Sequence, residues 1–203
     1  MEPIVHVRDG FAVTYRRYYE PLPASDITPG EYAQALEGLH AEMRQFAVVA
    51  PHFSDRVDEA QAIVRDRSRS PNLADADRDL LTDTLRSLRR AVVERIASEQ
   101  LLHGEPHAGN LLKTAGGMRF IDLETCCYGP VEFDIAHAPI EVGRRYPSID
   151  RLQLLDCRIL MLSMVAAWRA DRDDERPNGA ENRDALLSAL RNALDHHGID
   201  VRQ

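Results

Sequence analysis

The sequence predicts an α+β fold in which short β-hairpins accompany a larger set of helices, and three observations lead to this prediction. The chain begins with a β-branched segment that reaches a turn pair at Asp9-Gly10. From residue 28 onwards, long segments carry apolar residues at helical spacing. Between these segments, two apolar runs flank Gly116-Gly117, as the strands of a second hairpin would.

The N-terminal hairpin is predicted from residues 4–8 and 11–19, which are rich in β-branched and aromatic residues. A hairpin alone is only marginally stable in water, so further packing is expected against one of its faces. Pro21 and Pro23 then end the strand structure and form a stiff link to the helical region.

The first helix is predicted to begin at a capping box formed by Thr28 and Glu31 and to end at Pro51. Its apolar stripe consists of residues at helical spacing: Leu36, Leu39, Met43 and Phe46. Apolar periodicity predicts further helices over five ranges: 54–67, 75–98, 132–145, 149–170 and 180–197. The inner face of the helix over 75–98 is predicted to consist of seven apolar residues: Leu80, Leu81, Leu85, Leu88, Val92, Val93 and Ile96.

The charge balance argues against one large class of function. The chain has 203 residues, with 25 Lys plus Arg and 33 Asp plus Glu, so its formal net charge is −8. An acidic chain lacks the basic surface that neutralises nucleic-acid phosphates, so no nucleic-acid partner is expected. Acidic residues in the helical region would instead favour a cationic acceptor. Lys113 is the only lysine, and the other 24 cations are arginine.

Cysteine usage and hydropathy predict a cytoplasmic protein without a membrane segment. Three cysteines, two of them adjacent, do not form a disulfide framework and fit a reducing compartment. The N-terminus lacks the basic and apolar regions of a signal peptide. Residues 152–168 are the most apolar stretch, but Asp156 and Arg158 interrupt it, so a buried helix is expected there.

Polar residues of the kind used in catalysis concentrate around the second hairpin. The segment contains six of them: His103, Glu105, His107, Asn110, Asp122 and Glu124. Because the strands of a hairpin run antiparallel, Asp122 is expected to return close to Asn110. An amide oxygen beside a carboxylate suits Mg²⁺, which binds hard oxygen ligands and is shared with phosphate oxygens.

The spacing of His103-Gly104-Glu105 and Asn110 resembles the kinase catalytic loop, in which His-x-Asp is followed, after four further residues, by Asn. Asp122, in Phe-Ile-Asp, stands where such enzymes have a metal-binding Asp. Together with Gly129-Pro130 and Asp134-Ile135-Ala136, the pattern is similar to the aminoglycoside phosphotransferase family, which also contains choline and homoserine kinases. The resemblance spans roughly residues 4–200 and is motif-specific over 103–136.

This resemblance implies a protein-kinase-like large helical lobe at residues 23–203, with a catalytic loop at 103–110 and a metal-binding segment at 118–124. Residues 1–22 would correspond to the last β-hairpin and hinge of a truncated small lobe. The implied activity is transfer of the γ-phosphoryl group of ATP to a small-molecule hydroxyl, with ATP and Mg²⁺ as cofactors. The acceptor class would be similar to aminoglycosides or choline, and its identity stays open.

The family's motif also implies roles for individual residues. Glu105 stands where the family has the catalytic Asp that accepts the proton of the substrate hydroxyl, and His103 would brace this loop. Asn110 and Asp122 would hold Mg²⁺ on the nucleotide phosphates. Backbone groups at Arg17, Tyr18 and Tyr19 would face the adenine. His107 would line the substrate site, and Asp134 would anchor the loop. Glu124 would have a substrate-binding or structural role.

Two features differ from the family's pattern and leave other functions open. Glu105 replaces the catalytic Asp, and neither a phosphate-covering glycine loop nor a lysine precedes Lys113. One alternative is a catalytically impaired pseudokinase, or a module that binds a nucleotide or a partner. The N-terminal hairpin would then be the surface for partner binding or self-association. A further alternative is a metal-dependent hydrolase, although zinc sites prefer His ligands at helical or strand spacing. Its residues would be His103, Glu105, His107 and Asp122.

Overall fold

Short antiparallel strands and longer helices follow one another along the chain, as expected for the α+β class. The computed structural model describes residues 5–14, 17–23 and 27–197. Six residues of the predicted hairpin and hinge lie outside these ranges: Met1, Glu2, Pro3, Ile4, Tyr15 and Arg16. Within them, six strands form three separate two-stranded sheets.

The N-terminal hairpin forms at its predicted turn and is exposed on both faces. Its second strand was predicted to reach residue 19, but residues 17–19 are not in a strand. β1 (Val5–Arg8) pairs antiparallel with β2 (Phe11–Thr14). Asp9 and Gly10 have φ values of 51° and 84°, as the two central residues of a type I′ turn require. Every residue of both strands is exposed, so the packing expected against one face is not seen within the described residues. Association through this hairpin stays a prediction.

Helix α1 (Pro29–Met43) begins at the predicted capping box and ends earlier than expected. The N–H of Glu31 donates to Thr28 Oγ1 at 3.2 Å, and the N–H of Thr28 donates to a Glu31 carboxylate oxygen at 2.8 Å. The predicted end was Pro51. Val49, however, is fully exposed, and the Pro51 carbonyl accepts the N–H of the distant Tyr128 at 2.8 Å. Residues 46–51 instead form an irregular segment that reaches β-bridge residue His52.

Helices α2 (Phe53–Arg65) and α3 (Asp75–Arg95) lie close to their predicted positions. The predicted inner face of α3 is confirmed in its centre, where four residues are buried: Leu81, Leu85, Leu88 and Val92. Val93, which was assigned to the same face, is 42% exposed. The difference follows from the 3.6-residue period, because Val92 and Val93 are about 100° apart around the helix axis.

Four short strands bracket the predicted catalytic segment. They are β3 (Gln100–Leu102), β4 (Leu111–Thr114), β5 (Gly117–Phe120) and β6 (Cys127–Gly129). β4 and β5 form the predicted second hairpin, with Leu111 opposite Phe120. The β3–β6 pair was not predicted, because three residues are too few to show a strand alternation. This pair fixes the chain immediately before His103.

The helix predicted over 132–145 is in fact two short helices, α4 (Val131–Ala136) and α5 (Ile140–Gly143). Pro139 separates them, because proline has no N–H to continue the helical hydrogen bonding. The final helices are α6 (Arg151–Arg169) and α7 (Gly179–His197). Asp150 caps α6 through its carboxylate, which accepts the backbone N–H groups of residues 152 and 153.

The main hydrophobic core lies where α2, α3, α4, α6 and α7 meet. Asp156, one of the two charges in the apolar stretch of α6, is buried in this region and pairs with Arg95 of α3. All three cysteines are free thiols. Among the residues described, none of the helices combines the length and the hydropathy that crossing a bilayer would take.

Candidate active site

The predicted catalytic loop is anchored by Asp134 of α4. This side chain is fully buried, and its two oxygens accept the backbone N–H groups of His103 at 2.9 Å and Gly104 at 2.8 Å. Burial acts to raise the pKa of Asp134, but hydrogen bonds from His40 and from the loop N–H groups outweigh it and lower the pKa. A charged carboxylate therefore holds the start of the loop.

His40 of α1 extends this anchor, and the sequence had not indicated it. Its Nε2 donates at 3.0 Å to the same Asp134 oxygen that accepts the His103 N–H, and its Nδ1 shares a 2.7 Å hydrogen bond with the hydroxyl of Tyr146. The His40 side chain is fully buried. The only sequence signal was a histidine on the core-facing side of an amphipathic helix, which is also common in sites without any function.

His103 connects the loop to the segment that carries Asp122. Its Nδ1 accepts the N–H of Glu105 at 3.3 Å, so its Nε2 is the protonated nitrogen that donates to the Ile121 carbonyl at 2.9 Å. Its ring packs edge-on against Phe120 at 5.7 Å. These contacts are those of a bracing residue, the role that the family's motif implies for it.

Gly104 is the one loop position that excludes a side chain. Its φ is +91°, and an added Cβ would lie 1.9 Å from the carbonyl oxygen of Thr125. We expect Gly104→Ala to lower the free energy of unfolding by about 2 kcal/mol or more. For a chain of this size the melting temperature should fall by about 6 °C, which differential scanning fluorimetry would measure.

The matched control is Gly38→Ala, an exposed position in α1 where an added Cβ meets no atom within 4 Å. Alanine favours the helix there and should raise the free energy of unfolding by up to about 0.5–1 kcal/mol. The melting temperature should therefore stay the same or rise. Equal melting temperatures for the two variants would contradict the close packing of Thr125 on Gly104.

Glu105 is paired with Arg56 of α2, a residue that the sequence had not indicated. Arg56 donates to the Gly104 carbonyl at 3.0 Å and pairs with the Glu105 carboxylate. The Arg56 guanidinium also lies over the Trp168 ring, 5.0 Å from its centre. Burial acts to raise the pKa of Glu105, but the charge and hydrogen bond of Arg56 outweigh it and lower the pKa. Glu105 is therefore an ionised, half-buried carboxylate at neutral pH.

Asn110 and Asp122 lie where the second hairpin opens and closes, as the antiparallel geometry predicts. The N–H of Ile121 donates to the Asn110 carbonyl at 3.0 Å, which holds the Asp122 segment against Asn110. Asn110 Nδ2 donates to the Glu105 carbonyl at 3.0 Å and leaves the amide oxygen available as a ligand. Asp122 is exposed, with φ of 65°. This pair of hard oxygen donors fits Mg²⁺.

The other predicted site residues are more exposed. His107 caps the short turn before Asn110 by accepting the N–H of Gly109 at 3.1 Å, and Glu124 is exposed. Tyr19 lies beside β5, with its ring centre 5.8 Å from the Arg119 guanidinium carbon. Arg17 and Tyr18 are also exposed.

The geometry does not favour the metal-dependent hydrolase. Within the described ranges, no three or more side chains of the His, Cys, Asp and Glu types converge as a metal site. His103 in particular uses both ring nitrogens in hydrogen bonds to the loop backbone, so it presents no free nitrogen to a metal.

Comparison with known proteins gives a family and several fold neighbours. The sequence pattern of the phosphotransferase enzyme family matches residues 8–173. A methylthioribose kinase from Erwinia tasmaniensis is 44% identical over 41 residues, which is 20% of this chain and about a tenth of that relative's length.

Three solved structures share the fold at low identity. A choline/ethanolamine kinase family protein from Mesorhizobium loti has a TM-score of 0.74 at 15% identity, over 98% of this chain and 76% of its own. The choline kinase LicA from Streptococcus pneumoniae has a TM-score of 0.72 at 12% identity, over 96% and 75%. The GDP and kanamycin complex of APH(2″)-IIia has a TM-score of 0.66 at 15% identity, over 96% and 76%.

Proposed function

The chain belongs to the phosphotransferase enzyme family, and on this premise we propose that it transfers the γ-phosphoryl group of ATP to the hydroxyl of a small molecule. The observation that carries the proposal is the Glu105 carboxylate, which Arg56 keeps ionised on a loop whose backbone carbonyl at Glu105 accepts the Asn110 side-chain amide. Phosphoryl transfer requires mainly positioning and charge stabilisation from the protein, and this loop supplies a fixed base for it.

In the proposed step, the acceptor hydroxyl oxygen forms a bond to the γ-phosphorus while the bond from that phosphorus to the β–γ bridging oxygen breaks. ADP leaves with the bond electrons, and Glu105 takes the hydroxyl proton. Asn110 and Asp122 are the residues that would hold Mg²⁺. The ion would supply neutralisation of charge on the phosphate oxygens.

Arg56 offers a physical reason why glutamate works at a position where the family has aspartate. The additional methylene moves the carboxylate by about 1 Å, a displacement that costs rate when positioning dominates. Arg56 binds both the Gly104 carbonyl and the Glu105 side chain, so it fixes the direction of the longer side chain relative to its own backbone.

The nucleotide is proposed to lie over the β4–β5 hairpin, next to the segment 17–23. The N–H of Leu22 donates to the Lys113 carbonyl of β4 at 2.8 Å, and Tyr19 contacts Arg119 of β5. The hinge predicted around Arg17, Tyr18 and Tyr19 is therefore adjacent to the strands that carry Asn110 and Asp122 at their ends. A fold neighbour in complex with GDP supports nucleotide binding.

Saturating Mg·ATP should raise the melting temperature, because a ligand present at about 100 times its Kd adds about 2.7 kcal/mol of stability. The expected shift is about 5–10 °C, measured by differential scanning fluorimetry. Asp122→Ala should abolish this shift, since it removes the only carboxylate proposed to hold the metal ion.

Asp195→Ala is the control, because Asp195 is exposed on α7, outside the proposed site. It should leave the Mg·ATP shift unchanged. No shift for the wild-type protein at millimolar Mg·ATP would contradict nucleotide binding. A shift without formation of ADP from any hydroxyl acceptor would instead favour the alternative of a nucleotide-binding protein without transfer.

We further propose a cytoplasmic location, because the three cysteines remain free thiols. Burial raises the pKa of Cys127 to about 12 and that of Cys157 well above its usual value. Both thiols are therefore protonated and unreactive at neutral pH.

A further inference from the structure

A largely apolar cavity of about 700 Å³ lies directly beside the catalytic loop. It starts at residues 107–109 of the loop and continues between residues 136–140 and α6. Its walls are mainly aliphatic, including Ile140, Leu155, Ile159 and Met161. His107, which lines the cavity, follows Glu105 by two residues, so the cavity lies next to the loop that carries the proposed base.

A second cavity of about 810 Å³ adjoins the first and shares Ile140, Leu155 and Arg158 with it. Three arginines line this second cavity: Arg144, Arg151 and Arg158. Neither cavity has an aspartate or a glutamate among its lining residues. The chain is acidic overall, but the charge along this groove is positive.

Arg158 stands where the two cavities meet, and it has no ion pair within the part of the chain that the structure describes. Arg158 donates a long hydrogen bond, 3.5 Å, to the Pro139 carbonyl. Burial lowers the pKa of Arg158, and the charge of Glu141 only partly opposes this shift. A half-buried cation without a paired anion is costly, and a bound anion would relieve that cost.

His137 provides a second polar group in the first cavity. Its Nε2 is buried and has no hydrogen-bond partner within the described ranges. Its ring packs edge-on against Phe133 at 5.5 Å, and burial lowers its pKa to about 4. The ring is therefore neutral at neutral pH and can form one hydrogen bond with a ligand.

We propose that the acceptor is an amphipathic hydroxyl compound with an anionic group, whose apolar body fills the first cavity and whose anion pairs with Arg158. This inference rests on the proposed phosphotransferase function. It separates the chain from fold neighbours whose names refer to choline, ethanolamine and kanamycin, because ligands with an ammonium group would meet arginine here rather than a carboxylate.

The test compares two probes with the same chain length and opposite charge, octanoate and octyltrimethylammonium, by isothermal titration calorimetry below their micellar concentrations. Octanoate should bind at least about tenfold more tightly than the cation. Arg158→Gln should weaken octanoate binding about tenfold, whereas Arg67→Gln, at an exposed loop position, should not change it. Equal or tighter binding of the cation to the wild-type protein would overturn the proposal without requiring any variant.

Transfer assays separate this inference from the function on which it rests. In the presence of Mg·ATP, the protein should form ADP when 8-hydroxyoctanoate is added as acceptor. It should form no ADP with choline or kanamycin. Phosphorylation of choline or kanamycin would leave the phosphotransferase function intact and overturn the acceptor class. Binding of octanoate that depends on Arg158, without phosphorylation of any hydroxyl compound, would support the pocket and contradict the proposed function.

Discussion

Replacement of Asp134 by asparagine should lower the free energy of unfolding by about 4 kcal/mol, because it breaks a buried charged network. The two carboxylate oxygens accept hydrogen bonds from the N–H groups of His103 and Gly104 and from the His40 imidazole. Asparagine retains one acceptor oxygen and turns an amide nitrogen towards these donors, so at least one donor is left unpaired. The melting temperature should fall by about 12 °C.

The control is Asp79→Asn, on the exposed side of α3, which should change stability by less than about 0.5 kcal/mol. The pH dependence provides a second readout. Because the pKa of Asp134 is lower in the folded than in the unfolded chain, its contribution is present above about pH 4. This contribution to stability is lost as the pH falls through the pKa of Asp134 in the folded chain. The Asp134→Asn variant has no such carboxylate, so its stability should not show this decrease. Equal melting temperatures for the two aspartate variants would contradict the anchoring role.

The elements of the fold that the sequence predicted best are those with a local signal. The capping box at Thr28 and the Asp9-Gly10 turn each depend on neighbouring residues, and both form as predicted. Two of the errors occur where contacts between distant segments decide the structure. The end of α1 and the β3–β6 pair belong to this class, because their partners lie far away along the chain.

The candidate site divides in the same way. The loop at 103–110 and Asp122 could be located from their spacing, because a hairpin returns the chain to a predictable place. Arg56 and His40 could not, since they reach the loop from helices about 50 or more residues earlier and leave no motif around them. Arg158 was named in the sequence only as a charge that interrupts the apolar stretch of residues 152–168, without a role in binding.

The charge along the two cavities shows why composition is a weak guide to a ligand. A net charge of −8 favours cations at long range, and the acidic residues of the helical region suggested a cationic acceptor. A binding site, however, is determined by the few side chains that line it. In the two cavities beside the loop, the charged side chains are arginines, so local charge and net charge have opposite signs.

Glu105→Gln should lower kcat by about 10²–10⁴, the usual contribution of a positioned general base. The amide cannot accept the hydroxyl proton, although it retains the size of the side chain and part of its contact with Arg56. The shift in melting temperature caused by Mg·ATP should persist, because Asn110 and Asp122 are unchanged. This combination, with binding retained and turnover lost, is the expected signature of a base and is not expected from a residue that only supports the loop.

Glu59→Gln, on the exposed side of α2, is the matched control and should leave kcat unchanged. The pH profile adds a test of Arg56, whose charge holds the pKa of Glu105 below its usual range. In the wild-type protein, Glu105 should therefore become protonated only below about pH 4.5, and the rate should stay constant with respect to this group above that pH. In Arg56→Met, the largest charge that opposes the effect of burial is removed, so the acid limb should move to higher pH. A kcat for Glu105→Gln within about threefold of the wild-type value would exclude Glu105 as the base.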